Sequence, residues 1–129
     1  MDIMTKRTVA LGLASWLLPF LVSFLFIDRA GQSLIPQPLF KSIMVVVGGG
    51  VGTALLAIAF RQVTPTLRSG LALGLLWLCI NLALDIVVLV PMMKVSVTTY
   101  VQDVGLRYLL IPIIAAGIGL VAERERVAR

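Results

Sequence analysis

Two charged residues lie inside the long apolar stretches of this 129-residue chain, and they are its strongest candidates for chemistry. Asp85 interrupts the apolar run 69–93, and Arg107 interrupts the run 104–122. Asn81 lies four residues before Asp85, so a helix would present both side chains on one face. A carboxylate in the interior of a membrane is costly unless it is paired, hydrated or protonated. Asp85 is therefore a candidate proton or cation site, with Asn81 beside it.

The sequence offers two basic partners for Asp85. Arg107 would enter its helix from the same side, and its long side chain could reach a similar depth. Lys41, at the start of another apolar run, could join them, and we call Asn81, Asp85, Arg107 and Lys41 the polar cluster. A local alternative pairs Asp103 with Arg107, which are four residues apart. Two interpretations stay open: a structural clamp between helices, or a transport or ligand site.

The residue types that most catalytic and metal sites use are missing from this chain. It contains no His, and Cys79 is its single Cys. This excludes an internal disulfide, a thiolate metal cluster and the Ser-His and Cys-His pairs of nucleophilic catalysis. We therefore expect no catalytic residue, no metal and no cofactor, and a protein that is not an enzyme.

Four apolar runs must position the polar cluster. They predict helices at about 8–27, 41–60, 70–93 and 104–122, each close to the roughly 20 residues that cross a hydrocarbon core about 30 Å thick. Charged residues make up 13% of the chain, against about 25% in soluble domains. The sequence therefore predicts one transmembrane domain over residues 1–129, an all-α, membrane-embedded four-helix bundle.

Lys and Arg are distributed unevenly between the two ends of the predicted helices. With four crossings, the side that carries both termini holds the larger number of them, which predicts cytoplasmic termini. The chain is then a multi-pass protein of a cell membrane, in bacteria the inner membrane. The residues on the side of the termini are Lys6, Arg7, Arg61, Arg68, Arg124, Arg126 and Arg129, and those on the other side are Arg29, Lys41, Lys94 and Arg107.

Small residues spaced four apart predict close helix contacts, because they allow membrane helices to approach each other. Packing within the bundle is one interpretation, and a self-association face, mainly at Gly48 and Gly52, is another. The expected partners are the lipid bilayer and either further copies of this chain or other membrane proteins. The net charge of +5 lies mostly beside the apolar runs, where anionic lipids attract it, so no nucleic acid is expected. The pairs are Gly48 and Gly52, Gly70 and Gly74, and Ala115 and Gly119.

The strings LDIVVLVPMMKVS and VGLRYLLIPI resemble small four-helix integral membrane proteins of bacteria that carry no characterised activity. Small multidrug transporters match less well, because their essential Glu lies in the first helix and residues 8–27 contain no carboxylate. Small fluoride channels carry an Asn-containing motif in their second helix, whereas Asn81 lies in the predicted third helix. The resemblance therefore implies the four-helix membrane fold and no particular activity.

Two function classes follow from these observations. The favoured class is a non-enzymatic membrane subunit or assembly partner that packs through its small-residue helix faces. The alternative is a small proton- or ion-coupled transporter or channel that uses Asn81, Asp85 and Arg107 in the outer half of the membrane. A water-accessible cavity that reaches Asp85 distinguishes the two, because a transporter needs such a cavity and a scaffold does not.

The topology can be tested with single cysteines. We expect an impermeant thiol reagent, applied to intact cells, to label Pro36→Cys but not Arg61→Cys or Arg129→Cys in a Cys79→Ala background, because the charge distribution places only residue 36 outside. Labelling after the cells are permeabilised is the control for reactivity. Labelling of position 129 without labelling of position 36 would reverse the assignment.

Overall fold

Four long helices dominate the computed structural model, which describes residues 5–129. Each of them is long and apolar enough to cross a membrane, and a fifth, short helix lies between the last two. Within the described range no strand forms, and one isolated bridge joins Ile27 to Ser33. The all-α prediction is confirmed. The helices are α1 (Lys6–Ser23), α2 (Gln37–Ala59), α3 (Leu67–Leu84), α4 (Val97–Asp103) and α5 (Leu110–Ala128).

Reciprocal side-chain caps begin α1 and α3. The Thr5 side chain accepts a hydrogen bond from the backbone N–H of Thr8, and the Thr8 side chain accepts one from the N–H of Thr5. Thr66 and Ser69 repeat this arrangement at the start of α3. These bonds satisfy backbone donors that have no partner in the first helical turn. They explain why α3 begins a few residues before the apolar run does.

The other two long helices also extend past the apolar runs. α2 begins at Gln37, because Pro38 is tolerated in a first turn, where its missing N–H needs no acceptor. α5 continues to Ala128, because its charged last turns hold the loop between α2 and α3. Glu123 accepts a hydrogen bond from the Leu67 N–H at 3.0 Å, and Arg126 donates to the Pro65 carbonyl at 2.6 Å.

Beyond Leu84, α3 continues outward with a different winding that begins at Asp85, and we count this continuation as part of α3. Residues Asp85–Leu89 form a π-helical turn, and Val90–Met93 complete the helix. Within this turn the N–H of Val90 donates to the carbonyl of Asp85, five residues earlier. Pro91 has no N–H to donate and its ring crowds the preceding turn, which accounts for a wide turn at this place.

The segment before α5 folds differently from the single predicted helix. Ser96 caps α4 by accepting a hydrogen bond from the Thr99 N–H at 3.1 Å. A 3₁₀ segment, Gly105–Leu109, then leads into α5. At this reversal Gly105 is buried and lies against the Tyr100 ring, where a β-carbon would be in van der Waals contact with that ring at 3.4 Å. The reversal turns Tyr100 into the protein interior.

Contacts between the helices give their directions. The Trp77 indole donates to the Thr8 carbonyl at 3.0 Å, and Trp16 contacts Asp85, so α1 and α3 run parallel. Gly70 contacts Ala115 in the antiparallel helix α5. The loops 27–36 and 94–104 therefore lie together at one end of the bundle, which we call the outer end. The loop 60–66 and both termini lie at the opposite, inner end.

The tightest packing joins α3 to α5 through the small residues that the sequence singled out. A β-carbon on Gly70 would collide with the backbone of Ala115, and one on Gly74 would collide with Pro112. A β-carbon on Gly119 would meet the Thr66 carbonyl. Such close approach brings many atoms into van der Waals contact. The buried apolar side chains packed around this seam are Leu56, Ala59, Leu73, Trp77 and Ala115.

Gly48 and Gly52 differ from the expected helix contact. A β-carbon at either position would have nothing within 4 Å. Both residues line a cavity instead, because α2 diverges from the other helices towards the outer end. Within the chain, these two glycines therefore do not form a close seam of the kind seen between α3 and α5.

The α3–α5 seam makes a stability prediction with an internal control. Gly74→Ala should lower the free energy of unfolding by about 1–3 kcal/mol, because the added methyl overlaps the Pro112 backbone. Gly117→Ala should leave it unchanged or raise it by up to about 1 kcal/mol, because Gly117 has open space and Ala favours helix. Thermal or denaturant unfolding in mild detergent measures both. Equal effects of the two substitutions would contradict the packing.

Candidate functional site

A cavity of about 660 Å³ lies between the four long helices. It borders α2 from Gln37 to Leu56, roughly 28 Å of helix. Asp28 and Arg29, which are exposed in the first outer loop, belong to the same lining. Asn81 and Asp85 of α3 line it as well. The cavity therefore connects the outer end of the bundle with polar groups buried between the helices.

Asp85 is buried, with 1% of its surface exposed, and it is held by two donors from different helices. The Trp16 indole N–H of α1 donates to Oδ1 at 2.5 Å. The Tyr100 hydroxyl of α4 donates to Oδ2 at 2.6 Å. Each carboxylate oxygen thus receives one short hydrogen bond, which offsets part of the cost of burying the group.

Two tyrosines lie beside this carboxylate. Tyr100 is 1% exposed, and its burial, followed by its hydrogen bond to Asp85 and the nearby negative charge, raises the pKa of its hydroxyl. A raised pKa means that the phenol keeps its proton well above neutral pH, so Tyr100 remains a donor. Tyr108 lines the cavity close to Asp85 and Arg107, near enough to interact with both charges.

Asn81 is fully buried, yet one of its polar atoms has no partner. Its Nδ2 donates to the Ser15 hydroxyl at 3.0 Å and to the Trp77 carbonyl at 2.8 Å. A carbonyl can only accept, so the Trp77 contact fixes which way the amide points. Oδ1 accepts no hydrogen bond within the described chain. This leaves a buried free acceptor one helical turn before Asp85.

The basic members of the polar cluster have partners other than Asp85. Arg107 donates to the Lys41 carbonyl at 3.4 Å. The Lys41 ammonium pairs with Asp103 at 3.6 Å, with both side chains about two-fifths exposed. Within residues 5–129, Asp85 forms no ion pair with Arg107, nor does Asp103. The structure therefore brings all four cluster residues to one cavity but does not join Asp85 and Arg107 in a clamp.

Sequence reasoning missed the residues that hold Asp85 and Asn81. Tyr100, near a helix end, reads as an aromatic residue at the headgroup level, whereas the structure buries it. Trp16 carried a usable signal, because an indole N–H in a long apolar run needs an acceptor and Asp85 is the strongest one available. Ser15 carried none, since a serine on a membrane helix usually bonds its own backbone, as Ser15 also does to the Gly12 carbonyl at 2.6 Å.

The site offers charge and hydrogen bonding rather than an obvious covalent reaction. Its lining residues include Asp85, Asn81 and Arg107 among mostly apolar side chains, and Asn81 has an acceptor oxygen without a partner in the described chain. In the described part of the chain, no group of three or more His, Cys, Asp or Glu could hold a metal ion. The arrangement offers hydrogen-bond acceptors to a polar group at the depth of Asp85.

Comparisons with known protein families, with curated proteins and with solved structures gave no match for this chain. Its function has to be inferred from the cavity and the side chains described above.

The hydrogen bonds to Asp85 can be tested by a double-mutant cycle. Trp16→Phe and Tyr100→Phe should each lower the free energy of unfolding by about 1.5–3 kcal/mol, because each removes a donor from a buried acidic group. In an Asp85→Asn background the same changes should cost less. Unfolding in detergent measures the four corners of each cycle.

Arg107→Gln serves as the comparison in the same experiment. Since Arg107 forms no ion pair with Asp85 and is linked to it only through Tyr108, the coupling energy between Arg107→Gln and Asp85→Asn should stay well below the roughly 3–5 kcal/mol of a broken buried ion pair. A strong recovery of stability in the double variant would instead identify the two residues as a buried clamp.

Proposed function

We propose that this protein is a small proton- or ion-coupled transporter of a cell membrane, and not an enzyme. Four helices that are long and apolar enough to cross a membrane support the membrane location. The excess of Lys and Arg at the inner end supports cytoplasmic termini, in a bacterium on the inner side of the inner membrane. The cavity would then open to the outside.

The observation that carries the proposal is the cavity that reaches Asp85 and Asn81. Protein interiors are close-packed, so a bundle that serves only as a scaffold has no reason to leave about 660 Å³ between its helices. Ligand pockets typically occupy roughly 300–1,000 Å³. A cavity of this size that ends on a buried carboxylate is the arrangement that a coupled transporter requires.

The depth of Asp85 supports the coupling role. It lies 18 residues after Leu67, roughly 27 Å along α3 and in the outer half of the bundle. Towards the inner end the helices close around Leu56, Trp77 and Ala115. This geometry corresponds to a site accessible from one side and sealed on the other, as alternating access requires.

The second long helix is the best candidate for the moving element. Its buried residues are Gly52, Leu56 and Ala59, all in the inner half, and no residue from 37 to 51 is buried. A segment with few buried contacts opens at low free-energy cost. The outer half of α2 could therefore change its distance from α1 and α5 while the inner half stays packed.

The same feature favours a second candidate function, a non-enzymatic membrane subunit or assembly partner. Gly48 and Gly52, four residues apart on one face of α2, have nothing within 4 Å of an added β-carbon, which leaves space for another helix to approach. A second copy of this chain or another membrane protein could cover the outer half of α2 through this small-residue face. In that case the cavity would be part of an interface rather than a substrate site.

Flux through reconstituted protein distinguishes the two candidates. Proteoliposomes that enclose a pH-sensitive dye are exposed to pulses of Na⁺, K⁺ and a small organic ammonium ion. We expect at least one pulse to change the internal pH more than in protein-free liposomes, and we expect Asp85→Asn to abolish the change, because the amide cannot exchange a proton.

Size-exclusion chromatography and circular dichroism of Asp85→Asn establish that the variant is folded. Cys79→Ala is the matched control, since Cys79 is exposed and lies outside the cavity lining. If no pulse changes the dye signal, or if Asp85→Asn transports like the unmodified protein, the coupled transporter is wrong. Co-elution of a second membrane protein would then favour the assembly partner.

A further inference from the structure

We infer that the cavity binds a primary ammonium group carried on an apolar body, with Asn81 and Asp85 as its acceptors. The inference rests on the proposed function and deepens it by naming the class of substrate. Asn81 is one of the residues that line the cavity. Its Oδ1 atom is buried and has no hydrogen-bond partner in the described chain. A buried acceptor without a partner costs about 1–3 kcal/mol, which a donor from a ligand would recover.

Asn81 and Asp85 lie close enough together to accept hydrogen bonds from a single group that carries several N–H donors. Asn81 and Asp85 are one turn apart on the same face of α3, which places their β-carbons roughly 6 Å from each other. The Asp85 carboxylate is bonded by Trp16 and Tyr100 and also interacts with the Tyr108 hydroxyl, but its two oxygens have about four acceptor positions, so a further donor can still bind. An ammonium group with three N–H donors could therefore bond to the Asn81 carbonyl and to Asp85 together.

The charges around Asp85 also favour a cationic ligand. The donors on Asp85 come from neutral groups, the Trp16 indole and the Tyr100 phenol. Arg107, the nearest candidate for a counter-ion, donates to the Lys41 carbonyl at the outer start of α2. An ionised Asp85 is thus stabilised by hydrogen bonds but is not neutralised by an ion pair, and a cationic ligand would supply the missing charge.

The cavity wall between Asp85 and the outer end suits a ligand whose remaining part is apolar or aromatic. Trp16, Phe20 and Phe24 form a continuous ladder that lines the cavity, with ring centroids 4.7 Å and 5.0 Å apart. Aromatic faces attract cations and contact apolar groups well. A bare inorganic ion would leave most of the 660 Å³ empty. Mg²⁺ or Ca²⁺ would need six or more oxygen ligands, and the lining provides only two acidic or amide side chains at that depth.

A matched series of three probes tests the inference in detergent solution by calorimetry or equilibrium dialysis. The probes are 2-phenylethylammonium, its N,N,N-trimethyl analogue and 3-phenylpropionate. We expect saturable binding of the primary ammonium ion. The dissociation constant of the trimethyl analogue should be at least about 10-fold higher, because this ion keeps the charge but has no N–H donor. The carboxylate should not bind, because it would face Asp85.

Two protein variants locate the site. Gly52→Leu should abolish binding, because its side chain would enter the cavity, where nothing lies within 4 Å of the new β-carbon. Gly50→Leu, on the exposed side of the same helix and outside the lining, should bind like the unmodified protein. Asp85→Asn should weaken binding by about 10-fold or more. If Gly52→Leu does not fold, Gly48→Leu replaces it.

The outcomes separate this inference from the proposed function. Absence of saturable binding would mean that water satisfies Asn81, and the inference would be overturned whatever the flux assay shows. Equal binding of the primary and trimethyl ions would likewise overturn the role of N–H donation. Binding that depends on Asp85 without any flux would keep the ammonium site and overturn transport.

Discussion

A carboxylate buried between helices must be hydrogen-bonded, and meeting this requirement at Asp85 organises the outer half of the protein. Its donors come from the indole of Trp16 on α1 and the phenol of Tyr100 on α4. The first contact sets the position of α1 against α3. The second requires α4 to fold back over the bundle, and a 3₁₀ segment, Gly105–Leu109, then stands at the start of the helix that is expected over residues 104–122. Truncating either donor would leave the acidic group under-bonded in a low-dielectric environment.

The helices are packed closely at the inner end of the bundle and more loosely at the outer end. At the inner end, Gly70, Gly74 and Gly119 bring α3 and α5 into backbone contact, and the buried apolar side chains fill the remaining space. Towards the outer end the helices diverge around the cavity, and the glycines in the middle of α2 have nothing within 4 Å of an added β-carbon. Small residues permit close approach but do not enforce it. A close contact between two helices also depends on the side chains of the facing helix.

The difference between the packed inner end and the open outer end bears directly on the polar groups beside the cavity. The Asn81 amide nitrogen donates to Ser15 on α1 and to Trp77 one turn earlier on its own helix, and its oxygen has no partner in the described chain. A structural amide would be expected to use both ends, since an unsatisfied buried acceptor destabilises the fold. The free oxygen beside a hydrogen-bonded carboxylate, at the deep side of an open cavity, is the combination on which the transporter proposal and the ammonium site both depend.

The sequence by itself determined the fold class, the number of long helices and the residues that would matter at the polar site. Length and apolar composition are local properties, so they mark four helices, and an isolated charge in an apolar run is visible without a structure. The partners of Asp85 were decided only by the tertiary structure. Arg107 is the partner that charge alone suggests, yet the neutral donors Trp16 and Tyr100 take its place, because contact depends on helix rotation and on the reversal near Gly105. The cavity is likewise a property of how α2 diverges, which no local pattern encodes.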